Sequence, residues 1–140
     1  MSETAAAGFE ILEHTADVGV RSWGPTLEET FRQATLGLLD IVGAWKPGRG
    51  APEAIEVEAH DLGGLLVDWL GEVLYLQEVR DVVVSAVTLD AVTGDRANGS
   101  VELAERPVEI EGTAVKAITY HQLSVDQSPG GWVATVYLDI

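Results

Sequence analysis

The sequence contains no cysteine. Disulfides, thiolate metal sites and cysteine nucleophiles are excluded together, and the absence fits a reducing compartment. Basic residues are scarce: 8 Lys and Arg stand against 23 Asp and Glu, a formal net charge of −15. Nucleic-acid binders match phosphates with Lys and Arg, so direct RNA or DNA binding is not expected. A cationic protein partner or divalent cations suit this balance better, with plain solubility as the alternative. Long apolar runs are also missing. The richest, "LLVDWLGEVLYL", is interrupted by Asp68 and Glu72 and falls short of the ~20 residues that a membrane helix needs. Met1 to Gly8 carries neither the basic nor the apolar part of a signal peptide. The expectation is a soluble, cytoplasmic protein with no membrane contact. No nucleophile elbow, phosphate-binding P-loop or dinucleotide glycine fingerprint is present either.

What remains is enough for a folded domain. Of the 140 residues, 46% are hydrophobic and four are tryptophan, too apolar for a disordered chain. The length predicts one domain over residues 1–140, with 1–8 flexible. Thr26-Leu27-Glu28-Glu29 has the form of a capping box, and Leu27, Phe31, Ala34, Leu38, Ile41, Val42 and Trp45 recur at helical spacing before Pro47. A second helix is predicted from an Asp61 cap, with Leu62, Leu65, Leu66, Trp69, Val73 and Leu74 on its buried stripe. "EAIEVEA" alternates as a half-buried strand does. "VVVSAVTLDAV" is apolar on both faces, which predicts a central strand covered on each side. Lys46 to Pro52 and Thr93 to Gly99 read as surface loops. "VKAITYHQLSV" and "WVATVYLDI" flank Ser128-Pro129-Gly130-Gly131 and predict an antiparallel hairpin. The order implies an α+β fold, two main helices packed on a mixed or antiparallel sheet.

Candidate chemistry is sparse when read residue by residue. Asp17, in "EHTADVGV", reads by itself as a turn residue beside Gly19. Asp139 leaves two readings open. Alternation in the last strand puts Trp132, Ala134, Val136, Leu138 and Ile140 on one face and Asp139 with Tyr137 and Thr135 on the other. Asp139 is then either an exposed end in solvent, or one of several oxygen ligands, with the Ile140 carboxylate, for a hard cation such as calcium, magnesium or manganese. Asp68 and Glu72 lie four apart and read as the wet side of their helix. His14, His60 and His121 are scattered without zinc-site spacing, and His14 and His121 read as structural histidines in apolar strands. Lys116, one of two lysines, reads as a surface residue unless an acid or phosphate faces it.

The order of the segments is more specific than any one of them. "FEILEHTADVGVRSWG", "TLEETFRQATLGLLDIV", "DLGGLLVDWLGEVLYL", "VKAITYHQLSV" and a final "WVATVYLDI" resemble the archease family over nearly the whole chain. Its distinctive pieces are His-Thr-Ala-Asp-x-Gly, Lys-Ala-x-Thr-Tyr-His and the terminal Asp-Ile, and all three are intact. The resemblance implies a protein cofactor of an RtcB-type RNA ligase, the enzyme that joins exons in tRNA splicing and RNA repair. Such a cofactor promotes guanylylation of the ligase with GTP and a divalent metal, and so its multiple turnover, without joining RNA itself. It also implies a metal site at Asp17, Asp139 and Ile140, holding calcium in the isolated protein with magnesium or manganese as alternatives. His14, Lys116 and His121 are implied as further functional positions. Two rival readings stand beside it: a stand-alone metal-dependent enzyme acting on a small phosphorylated substrate, and a chaperone-like scaffold protein.

Overall fold

The computed structural model describes residues 6–13, 17–108 and 111–140. Among these residues two helices, α1 (Leu27–Val42) and α2 (Leu62–Val79), are accompanied by seven strands: β1 (Gly8–Glu13), β2 (Asp17–Gly24), β3 (Ala51–Glu58), β4 (Val82–Val92), β5 (Arg96–Glu105), β6 (Ala117–Ser128) and β7 (Gly131–Asp139). The strands form two antiparallel sheets, ordered β1-β2-β7-β6 and β3-β5-β4. The choice between a mixed and an antiparallel sheet thus resolves to antiparallel, and into two sheets where one was expected.

Both helix starts follow from their caps. Thr26 accepts from the Glu29 N–H at 3.1 Å, and Asp61 accepts from the Gly64 N–H at 2.8 Å. Glu29 does not complete the box by reaching back. Its carboxylate accepts from Gln33 at 2.7 Å and faces Arg32 at 3.5 Å. The first helix stops at Gly43, whose φ of 73° is the left-handed cap that glycine adopts without steric cost. Trp45 therefore lies beyond the helix and makes a bridge to Val84 instead.

Each helix touches both sheets. α1 packs on β1, β2 and β7 and also on β4, whereas α2 packs on β6 and also on β3, β4 and β5. That explains why α2 is apolar on most sides: Leu65, Leu66, Trp69, Leu70, Val73 and Leu74 all join one core with Phe31, Leu38, Val136 and Leu138. The helices are tied by a buried relay in which Trp69 Nε1 donates to Thr35 Oγ1 at 2.9 Å and Thr35 donates to the Phe31 carbonyl at 2.7 Å.

Three expectations for strands and loops need correction. β4 is an edge strand, not a central one. Its second side is covered by α1 and the segment after it: Val84 exchanges hydrogen bonds with Ala44 and Lys46, Arg32 donates to the Val87 carbonyl, and Glu28 accepts from Val92 N–H. This coverage protects an edge that would otherwise be open to pairing. The loop expected over Thr93 to Gly99 is shorter, because β5 begins at Arg96 and Asn98 and Gly99 are paired on both sides. Likewise Ala51 and Pro52 belong to β3 and not to the preceding loop. The predicted hairpin is present, with Ser128 opposite Gly131 and a two-residue turn between them.

Candidate functional site

β2 begins at Asp17 and β7 ends at Asp139, and antiparallel register sets these two residues directly opposite each other. Opposed residues share a face of the sheet, with Cβ atoms typically ~4.5–5.5 Å apart. The next pair, Val18 and Leu138, turns to the core, and the following one, Gly19 and Tyr137, returns to the outer face. Alternation thus buries Ala134, Val136 and Leu138 and leaves Asp139 exposed beside a half-buried Asp17.

The third strand closes the arrangement. Ala117 of β6 lies opposite Asp139 on the other side of β7, and the Lys116 N–H donates to the Asp139 carbonyl at 2.7 Å. The main chain of Asp139 is therefore held from both neighbours, and the Ile140 side chain packs against the core. Two residues of like charge thus stand opposite each other on an ordered strand end.

Gly19 is a mid-strand residue, not part of a turn. A Cβ there would stand 2.8 Å from Tyr137 Cε1 and 3.1 Å from Leu12 Cβ, so the glycine is the seat of the tyrosine ring. Tyr137, only 9% exposed although on the outer face, is the site neighbour that residue-by-residue reading passed over. His121 meets its ring edge-on at a centroid distance of 6.1 Å. His121 is held there by an irregularity in β6, where pairing jumps from Thr119 to Ser124 and Gln122 has a φ of 52°. Thr119 anchors this bulge by donating to the Tyr137 carbonyl at 2.9 Å while accepting from the His121 N–H at 3.3 Å. His121 is exposed, which corrects the expectation of a structural histidine within an apolar strand.

Asp17, Asp139, Ile140, Lys116 and His121 thus belong to one end of the four-stranded sheet, with Asp17, Asp139 and His121 on its outer face, Ile140 turned to the core and Lys116 beside α2. His14 lies outside the described residues. His60 stands apart, in a shallow hollow with Glu58 and Asp95. Asp68 and Glu72 are on the exposed side of α2, as expected, and line a groove that Lys116 also borders. Among the described residues no group of three or more His, Cys, Asp or Glu side chains is arranged to hold a metal ion. The strand end offers two side-chain carboxylates and main-chain oxygens. Such an oxygen-only set suits a hard divalent cation that takes its remaining ligands from elsewhere. No helix among the described residues is long and apolar enough to cross a membrane.

Comparison with known proteins bears on the family and the fold. The sequence model of the Archease protein family (MTH1598/TM1083) matches residues 9–140. "Protein archease" of Methanosarcina mazei is 34% identical over 142 aligned residues, covering 94% of this chain and 95% of the relative. "Protein archease" of Pyrococcus furiosus is 37% identical, covering 94% and 98%. The solution structure of protein 1598 from Methanobacterium thermoautotrophicum superposes with a TM-score of 0.80 at 28% identity, over 95% of this chain and 99% of that one. The crystal structure from Thermotoga maritima described as an archease and possible chaperone has a TM-score of 0.65 at 20% identity, covering 94% and 96%, and shares the fold.

Proposed function

The chain belongs to the archease family, and from that premise we propose that it is an accessory protein that activates an RtcB-type RNA ligase in tRNA splicing and RNA repair. In this reading it promotes guanylylation of the ligase by GTP and so sustains multiple turnover, while the ligase carries out all the bond making. The observation that carries the reading is the direct opposition of Asp17 and Asp139 at the end of the β2–β7 pair. A strand end that fixes two anions side by side costs stability, which is reasonable where the pair has a cation to hold.

The groups that would hold a divalent ion are the carboxylates of Asp17 and Asp139 and the main-chain oxygens of Ile140. When bound, such an ion supplies positive charge for phosphate oxygens and a template for orienting them. Magnesium characteristically combines one or two protein carboxylates with phosphate oxygens of a nucleotide, and two carboxylates are what this strand end presents. The chain's own residues do the positioning. The Lys116 N–H fixes the Asp139 main chain, Ile140 anchors beyond it, and Tyr137 over Gly19 stiffens the face beside the acids. Lys116 and His121 flank the pair as donors for anionic groups of the ligase or its nucleotide. The net charge of −15 favours approach to a basic, RNA-binding surface. Direct RNA binding by the chain forms no part of this reading, nor does a membrane; its setting is the cytoplasm.

The test is multiple-turnover RNA ligation by an RtcB-type ligase from the same source, with and without the chain, beside a folded Asp139→Ala variant. Stimulation by the wild type and its loss in the variant are expected. Lack of stimulation by folded wild type contradicts the proposal and returns a stand-alone metal-dependent activity to first place.

A further inference from the structure

The groove bordered by Lys116 lies between two strand edges that are unpaired among the described residues. β6 is an edge of the four-stranded sheet and β3 an edge of the three-stranded one, and α2 packs against both. Its volume is 560 Å³, and Val67, Leu74 and Ile118 give it an apolar floor. Asp68 and Glu72 stand along one wall, and neither has a cationic partner within 4.0 Å among the described residues, whereas Glu58, also at the groove, pairs with Arg96. Like charges four apart on a helix repel, so this wall gains from a cation brought by another molecule.

Gly71, in the middle of α2, opens onto the same groove. Apart from proline, glycine is the least favourable residue inside a helix, and a local reason for it is usually found in packing. At Gly37 in α1 that reason is visible: a Cβ would come within 2.6 Å of Val20 Cγ1 and 3.2 Å of Phe9. At Gly71 a Cβ would meet nothing within 4 Å. No packing among the described residues requires bare backbone there, and the space above it is open to another molecule.

We propose that this groove docks an extended segment of a partner protein, carrying an apolar residue between basic ones, whose main chain passes over Gly71 and adds a strand alongside the free edge of β6. Strand addition supplies main-chain hydrogen bonds, while alternate side chains reach the apolar floor and the acidic wall. The groove is continuous with the strand end already described, since Ala117 lines it and also pairs with Asp139. The occupant is thus a segment of the same partner that meets Asp139. Its identity as the ligase rests on the function proposed above; the groove itself does not.

Gly71→Phe fills the groove without changing net charge or the Asp17–Asp139 pair. Space is free at this position and phenylalanine is the better helix former, so the variant is expected to fold with an unreduced melting temperature. Affinity for the ligase, measured by calorimetry, should fall at least tenfold in Gly71→Phe, with Asp139→Ala measured in parallel. Unaltered affinity in folded Gly71→Phe overturns the groove, and leaves the strand-end reading standing if Asp139→Ala still abolishes stimulation. A labelled peptide of alternating lysine and valine probes the groove without the ligase. Shifts of backbone amides at residues 67–74 and 116–118 that vanish in Gly71→Phe support the proposal. Shifts that Gly71→Phe leaves unchanged overturn it, as does self-association of the chain that this variant abolishes, which assigns the groove to a second copy.

Discussion

Removing one charge from the Asp17–Asp139 pair should stabilise the metal-free protein and remove its response to metal. The perturbation is Asp139→Asn, nearly isosteric, at an exposed position whose main chain is held by Lys116 on one side and by β2 on the other. At a charge separation of ~5 Å, the same order as the Cβ spacing of a directly opposed pair, two unit charges repel by roughly 0.8 kcal/mol at the dielectric of water. Partial burial of Asp17 raises that figure and ~0.15 M salt lowers it, so a gain of about 0.5–1 kcal/mol is expected in chelator. At roughly 2.1 cal/mol/K of unfolding entropy per residue, a chain of 140 residues should melt about 2–3 °C higher. Metal reverses the order. A divalent ion present at about a hundred times its Kd stabilises the wild type by about 2.7 kcal/mol, or ~9 °C, and the variant by much less. The assay is thermal unfolding of both proteins in chelator and across a series of calcium and manganese concentrations, at low and high salt. A lower melting temperature for Asp139→Asn in chelator, together with equal metal responses, refutes the reasoning.

Three further outcomes follow from packing. Thr35→Val strips the buried Trp69 indole of its acceptor and should cost about 1–3 kcal/mol; adding Trp69→Phe should cost less than the sum of the single changes in a denaturant-based double-mutant cycle. Gly19→Ala drives a methyl group into the Tyr137 ring and Leu12 and should cost about 1–3 kcal/mol, with a changed near-UV tyrosine signal reporting the displaced ring. Gly99→Ala would collide with the Thr88 carbonyl oxygen beside the irregularity between Leu89 and Ala91; urea unfolding should show a loss of about 3 kcal/mol or more.

The helices and the last hairpin were legible because their signals are local. The Thr26 and Asp61 caps lie three residues from the N–H groups they satisfy, and Ser128 to Gly131 is a turn in itself. The division into two sheets was not legible, since it depends on contacts distant in sequence. β4 reads as central because it is apolar on both faces, yet much of its cover comes from Arg32 and Glu28, bonded to residues 55 and 64 positions away. β5 was obscured because the turn-rich Thr93 to Gly99 runs directly into paired backbone. At the site, residue types suggested only that Asp139 had an oxygen-ligand reading. Its opposition to Asp17 is a matter of register between the second and seventh strands, which periodicity within either strand does not specify. The family resemblance reached those residues where spacing did not. Gly19 and Tyr137 show the same limit: an aromatic seated on a cross-strand glycine has no signature within one segment.

The most direct test of the central claim is the rate of GMP transfer from GTP to the ligase in a single turnover, at fixed manganese or magnesium. Wild-type chain and folded Asp139→Asn should be compared at concentrations that saturate the ligase. The account predicts acceleration by the wild type and a rate with Asp139→Asn close to that of ligase alone. Equal acceleration by both proteins would contradict it, and would place the activating surface away from the paired carboxylates.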